Sequence, residues 1–232
     1  MRRTAVVAAC LGLAAGFIAR TGSASALLEP GFFMAYRVET VSAGQRAEQR
    51  FRVEVTDDRG GGRRGVLLSI DGAPSYRAVY QTDDDEPMGV FDAERFERME
   101  GLQDGEWLPL ATDDVEMFDA LRAMEASLAG GAASSDSTVT LGGRDWTAQR
   151  YALTDSSTTV QESASVTLRT ERRTQGVAWM IPELPFGGWL RYEALTEARK
   201  VSEVGGRRFA GDPEASRETW TLVELGLPPN NK

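Results

Sequence analysis

The chain has 232 residues, of which 41% are hydrophobic and 26% charged, and a formal net charge of −9, values that suit a folded domain rather than a disordered chain. It contains no histidine and one cysteine, Cys10, which excludes histidine-dependent catalytic triads and leaves no thiol or disulfide beyond that position. The acidic balance also argues against nucleic acid as a partner, because a net-negative protein repels polyphosphate.

The first 26 residues have the pattern of a secretory signal peptide. Arg2 and Arg3 precede an apolar stretch over 5–19, and Ala24-Ser25-Ala26 provides a cleavage site of small residues. That stretch is shorter than the ~20 residues a spanning helix needs, and no later stretch is long enough either. We therefore expect an exported protein with no transmembrane segment after cleavage, located in the periplasm or outside a bacterial cell.

Residues 27–232 predict a single β-rich domain whose first part, 27–81, is a meander. Apolar and polar residues alternate in four stretches between Phe32 and Gln81, separated by turn signals, as in a four-stranded antiparallel sheet. The second part, 82–136, opens on the acidic run Asp83–Glu86. Such a run offers oxygen ligands to Ca²⁺, but it lacks the spacing of a calcium loop, so a solvated loop is the favoured interpretation.

The second part also carries the clearest helix signal, and we interpret it as a helical insert. Its apolar residues recur at three- and four-residue spacing on one face: Val115, Phe118, Leu121, Met124 and Leu128. Asp113 is a suitable N-cap, and Gly130-Gly131 would end the helix. A shorter helix is expected over Asp92–Met99 and a linker of small residues over Ala132–Asp136.

The third part, 137–232, returns to strand patterns. The predicted strands are Val139–Leu141, Trp146–Leu153, Val160–Arg169, Gly176–Ile181, Trp189–Leu195 and Trp220–Leu225, with a polar loop over Gly205–Ser216. The predicted fold class is therefore mainly β with a helical component (α+β). It would be a curved antiparallel sheet or half-open barrel with one amphipathic helix packed against it.

Three segments of the third part carry a family resemblance: Val139–Trp146, Trp179–Glu193 and Thr221–Gly226. In this order they resemble the C-terminal half of exported bacterial β-sheet domains grouped with the periplasmic lipoprotein carriers of the Lol system. The resemblance implies a half-closed barrel over an apolar cavity with a helical lid. In the carriers, that cavity shields acyl chains.

Apolar side chains are the candidate functional residues, because the sequence has no histidine and no cysteine beyond Cys10 that could act as a catalytic group. We expect a non-enzymatic envelope protein, without metal or cofactor, that binds a lipid or another apolar molecule between sheet and helix. The candidate ligand-binding residues are Phe118, Leu121, Met124, Trp146, Trp179, Phe186 and Trp189. Two alternatives remain open: a structural or assembly partner of other envelope proteins, and a hydrolase that uses carboxylates alone.

Overall fold

The computed structural model describes residues 27–82, 95–111, 133–163, 166–186, 188–204 and 206–228. These residues form strands joined by turns. The strands are β1 Phe33–Ser42, β2 Gln45–Gly60, β3 Arg63–Ile70, β4 Ala73–Gln81, β5 Phe96–Gln103, β6 Glu106–Pro109, β7 Ala133–Leu141, β8 Arg144–Glu162, β9 Val166–Met180, β10 Trp189–Val204, β11 Arg207–Ala210 and β12 Glu214–Gly226.

The strands form one antiparallel sheet in the order β6-β5-β4-β3-β2-β1-β12-β10-β9-β8-β7, and β11 pairs with the free side of β10 near its end. The meander predicted between Phe32 and Gln81 is confirmed as β1–β4. The last strand, β12, returns to lie between β1 and β10. It therefore joins the N-terminal meander and the C-terminal hairpins into a single sheet.

The predicted α+β class is wrong for the part of the chain that the structure describes, because that part contains only strands and turns. The sheet is also open, with β6 and β7 at its two edges within the described ranges. The amphipathic helix expected between Asp113 and Leu128 lies outside the described residues, as does the acidic run Asp83–Glu86. No helical layer can therefore be assigned to this fold.

The short helix expected over Asp92–Met99 is wrong where the structure describes it, because Phe96–Gln103 is strand β5. Phe96 and Met99 are both buried although they are three residues apart, a spacing typical of a helix. A β-bulge explains this spacing: the register with β4 shifts here, and Arg98 has a positive φ of 48°. The bulge adds one residue and returns Met99 to the buried face.

Three predicted boundaries in the C-terminal part also need correction. The linker expected over Ala132–Asp136 is strand from Ala133 onward, and the polar loop over Gly205–Ser216 contains β11 and the start of β12. The strand expected over Val160–Arg169 instead spans the turn between β8 and β9. In the first two places mostly polar, exposed residues form the strands, so the alternation of apolar and polar residues that marks a half-buried strand is missing.

The sheet curves around one buried face, which we call the concave face. Its largest fully buried side chains are Trp189, Phe32, Met34, Leu68, Leu153, Ile181, Leu184, Val55 and Val66. The curvature is evident from Phe186, which lies between β9 and β10 yet has its ring 5.1 Å from that of Tyr80 on β4. Strands from opposite halves of the sheet thus share one core.

The alternation of faces in β3 gives a test of this core. Leu68 is fully buried on the concave face, whereas its neighbour Leu67 points to the other face and is half-buried. We expect Leu68→Ala to lower the free energy of unfolding by about 2–5 kcal/mol, because it removes buried methyl groups and leaves a cavity. Leu67→Ala should cost clearly less. Urea unfolding of the two variants measures this, and equal losses would contradict the assignment of faces.

Candidate functional site

The concave face is filled by the loop that connects β9 to β10, and we call its described residues, 182–186 and 188, the plug loop. Leu184, Pro185 and Phe186 are buried, and the loop is closed by a hydrogen bond from the Ile181 amide to the Gly188 carbonyl at 2.8 Å. Gly188 has a φ of +56°, and a Cβ at this position would lie 2.2 Å from the Ile181 carbonyl oxygen. Only glycine permits this tight return of the chain into the sheet.

Aromatic rings from both halves of the sheet surround the plug loop in two groups. Phe186 of the loop packs against Tyr80 and Phe96, with ring centroids 5.1 and 6.2 Å away. Tyr36, Phe51 and Trp220 form the second group at 6.0–6.4 Å, in stacked and edge-to-face geometry. These distances are typical of favourable aromatic pairs, so the concave face is lined by a continuous aromatic surface.

Little empty volume remains between these rings. A residual cavity of about 20 Å³ is lined by Tyr36, Phe51, Val53, Leu68, Phe96, Phe186, Trp189 and Trp220. This is room for about one water molecule, whereas sites for drug-sized ligands measure ~300–1,000 Å³. The described residues of the concave face therefore do not enclose a preformed pocket for an acyl chain, because the plug loop occupies that space.

The plug loop and the start of β10 contain three unfavourable features. Phe186 has a φ of +55°, in the left-handed region that non-glycine residues rarely adopt. The indole nitrogen of Trp189 and the Oε2 atom of Glu183 are both buried without a hydrogen-bond partner among the described residues. Because buried polar groups in native proteins are nearly always paired, two unpaired atoms so close in sequence distinguish this segment from the rest of the core.

A β-bulge directs Trp189 into the concave face. The register between β9 and β10 shifts between Trp189 and Arg191, so that Trp189 lies opposite Met180 and Arg191 opposite Trp179. Without this shift Trp189 and Arg191 would lie on the same face, since residues two apart in a strand share a face. Trp189 is instead 1% exposed and packs edge-on against Tyr192, with ring centroids 6.0 Å apart.

The structure brings some of the predicted site residues together and separates others. Trp146, Phe186 and Trp189 all belong to the concave core. Trp146 is satisfied there, because its indole nitrogen donates a hydrogen bond of 3.0 Å to the Leu141 carbonyl. The predicted residues Phe118, Leu121 and Met124 lie outside the described residues.

Trp179 lies on the opposite, convex face of the sheet. It pairs with Arg150 and Arg191 in the strand register and is only half-buried, with the Arg150 guanidinium 5.6 Å from its ring centroid. The aromatic residues Tyr36, Tyr80 and Phe96, which do line the concave face, were missed. The alternation around Tyr36 and Tyr80 indicated a buried face, whereas Phe96 was placed in a predicted helix, and no sequence signal showed that this face would meet the plug loop.

Burial also changes the acid–base behaviour of the tyrosines in this core. Burial raises the pKa of Tyr192 to about 12, with smaller contributions from the carboxylates of Glu218 and Asp155. Burial raises the pKa of Tyr36 further still, and its hydroxyl donates to the Met34 sulfur at 3.6 Å. Both phenols therefore remain neutral at pH values at which an exposed tyrosine ionises.

The raised pKa of Tyr192 predicts a loss of stability in alkaline solution. The unfolded chain releases this proton near pH 10 and the folded chain near pH 12, so stability is intact below pH 10 and falls as the pH rises towards 12. The loss attributable to Tyr192 should be on the order of 2 kcal/mol. Urea unfolding at a series of pH values measures it, and Tyr192→Phe should flatten the decline. An equally steep decline in that variant would contradict this assignment.

No group of three or more acidic side chains is placed to hold a metal ion in the part of the chain that the structure describes. No helix in that part is long and apolar enough to cross a bilayer.

Comparisons with known proteins leave the family of this chain open. No protein-family model matches it, and no curated protein matches it. Among solved structures, it is similar to a Bacteroides fragilis protein described as exported, with a YmcC-like fold, at 10% identity and a TM-score of 0.21. The match covers 86% of this chain and 99% of the other. A TM-score this low does not establish a common fold, and the resemblance to lipoprotein carriers stays a prediction.

Proposed function

We propose that this chain is an exported, non-enzymatic protein that binds one apolar ligand on its concave face after the plug loop moves aside. The ligand would be an acyl chain or a molecule of similar shape. The observation that carries this proposal is the plug loop itself, an apolar segment of the chain that occupies the place of a ligand and leaves about 20 Å³ empty.

The unfavourable features of the plug loop support its displacement. A left-handed conformation costs a non-glycine residue such as Phe186 about 1–2 kcal/mol. Each buried polar atom without a partner, as in Glu183 and Trp189, costs about 1–3 kcal/mol. Release of the loop into water would remove the strain and hydrate the Glu183 carboxylate. The free energy of the closed loop is therefore less favourable than the burial of its apolar surface alone would give.

A ligand must replace the contacts that the loop gives up. Removal of a buried phenylalanine from a core costs about 3–5 kcal/mol, which is the main term that holds the plug loop in place. Burial of an acyl chain returns about 0.8 kcal/mol for each methylene group. A chain of about ten carbons would thus offset the loss of Phe186 and of its neighbours in the loop.

Phe186 gives a direct test of this proposal. Phe186→Ala removes the ring that the plug loop packs against Tyr80 and Phe96, so an apolar probe that displaces the loop has fewer contacts to replace. We expect the variant to bind 11-(dansylamino)undecanoic acid about tenfold more tightly than the unmodified protein, measured by the dansyl fluorescence.

Phe33→Ala is the matched control, because Phe33 lies on the convex face beneath the Arg52 guanidinium, 3.6 Å from its ring centroid. It removes the same side chain without opening the concave face, so its affinity for the probe should equal that of the unmodified protein. Absence of probe binding by folded Phe186→Ala protein, or equal gains in both variants, would overturn the proposal. Circular dichroism establishes that each variant is folded.

The alternative of an assembly partner for other envelope proteins stays a prediction. It calls for an exposed sheet edge, and β7 is such an edge within the described residues, with its side chains largely exposed and β8 as its one strand neighbour. The alternative of a hydrolase that uses carboxylates alone stays a prediction as well.

A further inference from the structure

The C-terminal strands extend beyond the core as an arm. The pairing of β12 with β10 ends at Ala198 and Glu214, and β1 ends at Ser42. Past this point β8, β9, β10 and β11 continue over residues 157–162, 166–172, 198–204 and 207–210, with no second layer of strands among the described residues. We call these residues the arm. Apart from Val201, which is buried on the face opposite the concave one, the described side chains of the arm are exposed or half-buried, and none belongs to the core.

The strand register shows which side chains share a face of the arm. Even-numbered residues of β10 continue the concave face, since Tyr192 and Ala194 are buried in the core. Leu168, Ser202 and Phe209 are direct neighbours on this face across three strands, and Val166, Val204 and Arg207 form the next row. Lys200 and Arg172 lie on the same face towards the core.

Charge is segregated between the two faces of the arm. The concave side carries the three cations Arg172, Lys200 and Arg207, and the one carboxylate that the register of the described strands places beside them is Glu214, opposite Ala198 at the end nearest the core. The opposite side carries Glu171 and Glu203 together with arginines, and Arg208 lies 3.5 Å from Glu171 there. No ion pair is formed by the cations of the concave side within the described residues, whereas on the opposite side Glu171 and Glu203 offset part of the charge of Arg169, Arg199 and Arg208.

Exposed apolar side chains lie between these cations. Phe209 is 56% exposed, the highest value among the exposed large hydrophobic residues described, and Val204 is 43% exposed. Val166 and Leu168 are half-buried beside them. A face that combines aromatic and aliphatic residues with unpaired cations has the composition of a surface that inserts at the interface of an anionic bilayer.

We propose that the concave face of the arm docks on an anionic lipid surface. Phe209 and Val204 would enter the headgroup region, and Arg207 and Arg172 would bind lipid phosphates. The face lies on strands that continue beyond the last pairing of β12 with β10, so its side chains are accessible to a surface. The net-negative body of the protein would be repelled from the same membrane, so the charge distribution also favours contact through the arm. This inference is independent of ligand binding in the core.

Lys200 is less suitable for a test than Arg207. Lys200 lines a groove of about 310 Å³ together with Asp212 and Glu214 from the connection between β11 and β12. These carboxylates balance part of its charge. Arg207 lies farther along the arm, next to Phe209, and its neighbour Arg208 provides a matched position on the opposite face.

Vesicle flotation with the full-length protein tests the proposal. The unmodified protein should bind phosphatidylcholine vesicles that contain about one third phosphatidylglycerol, and should bind pure phosphatidylcholine vesicles at least about tenfold more weakly. High salt should weaken the binding, because exposed charges are screened. Arg207→Glu should lower the affinity about tenfold, whereas Arg208→Glu, with the same change in net charge, should lower it less than about threefold.

A second pair of variants separates apolar insertion from charge. Val204→Ser should weaken vesicle binding severalfold, and Val160→Ser should not, although Val160 is similarly exposed at 46% and lies on the opposite face. Circular dichroism and thermal melts confirm that the variants fold. No binding to anionic vesicles, equal binding to neutral ones, or equal losses within either pair would overturn the proposal. Binding to an acidic protein surface alone, such as polyglutamate on beads, would overturn it too.

Discussion

The antiparallel pairing of β1 with β12 is the interaction on which the rest of this structure depends. It runs the whole length of β1, from Phe33 opposite Gly226 to Ser42 opposite Ser216. Because β12 also pairs with β10, this one strand connects the N-terminal meander to the C-terminal hairpins. Without it neither half has a second layer, since each is a single sheet with one apolar face.

The joined sheet makes the position of the plug loop possible. The loop belongs to the C-terminal half, yet Phe186 packs on Tyr80 and Phe96 of the N-terminal half. The plug loop, a short connection, therefore buries the aromatic surface of both halves. In many curved sheets a helix or a second sheet has this role. The strain at Phe186 and the unpaired atoms nearby follow from this, because a loop that fills a core cannot satisfy all of its polar groups.

The sequence predicted the strands that have one solvent-exposed face and one buried face, as in the meander of β1–β4. It failed at β5, where the bulge at Arg98 gives Phe96 and Met99 the spacing of a helix. Candidate site residues were chosen by their size and type, and the structure places two of them, Phe186 and Trp189, in the concave core. Their common location, and the separation of Trp179 from them, depend on the bulge before Arg191, which no local pattern reveals.

The boundary between core and arm is marked by a polar pair. Thr174 on β9 and Thr196 on β10 lie opposite each other on the concave face, and their hydroxyl oxygens are 3.1 Å apart. Thr174 is buried, while the next residues on this face, Arg172 and Ala198, lie at the start of the arm. Beyond Thr174 and Thr196 the described residues form no further core. The strands of the arm must therefore be held together by backbone hydrogen bonds between strands and by contacts between exposed side chains. Strands of this length are not needed to enclose the aromatic core, and an exposed phenylalanine at their end lowers solubility in water. A protein that keeps such an arm, with its cations on one face, has a surface whose apolar side chains gain free energy only when something covers them.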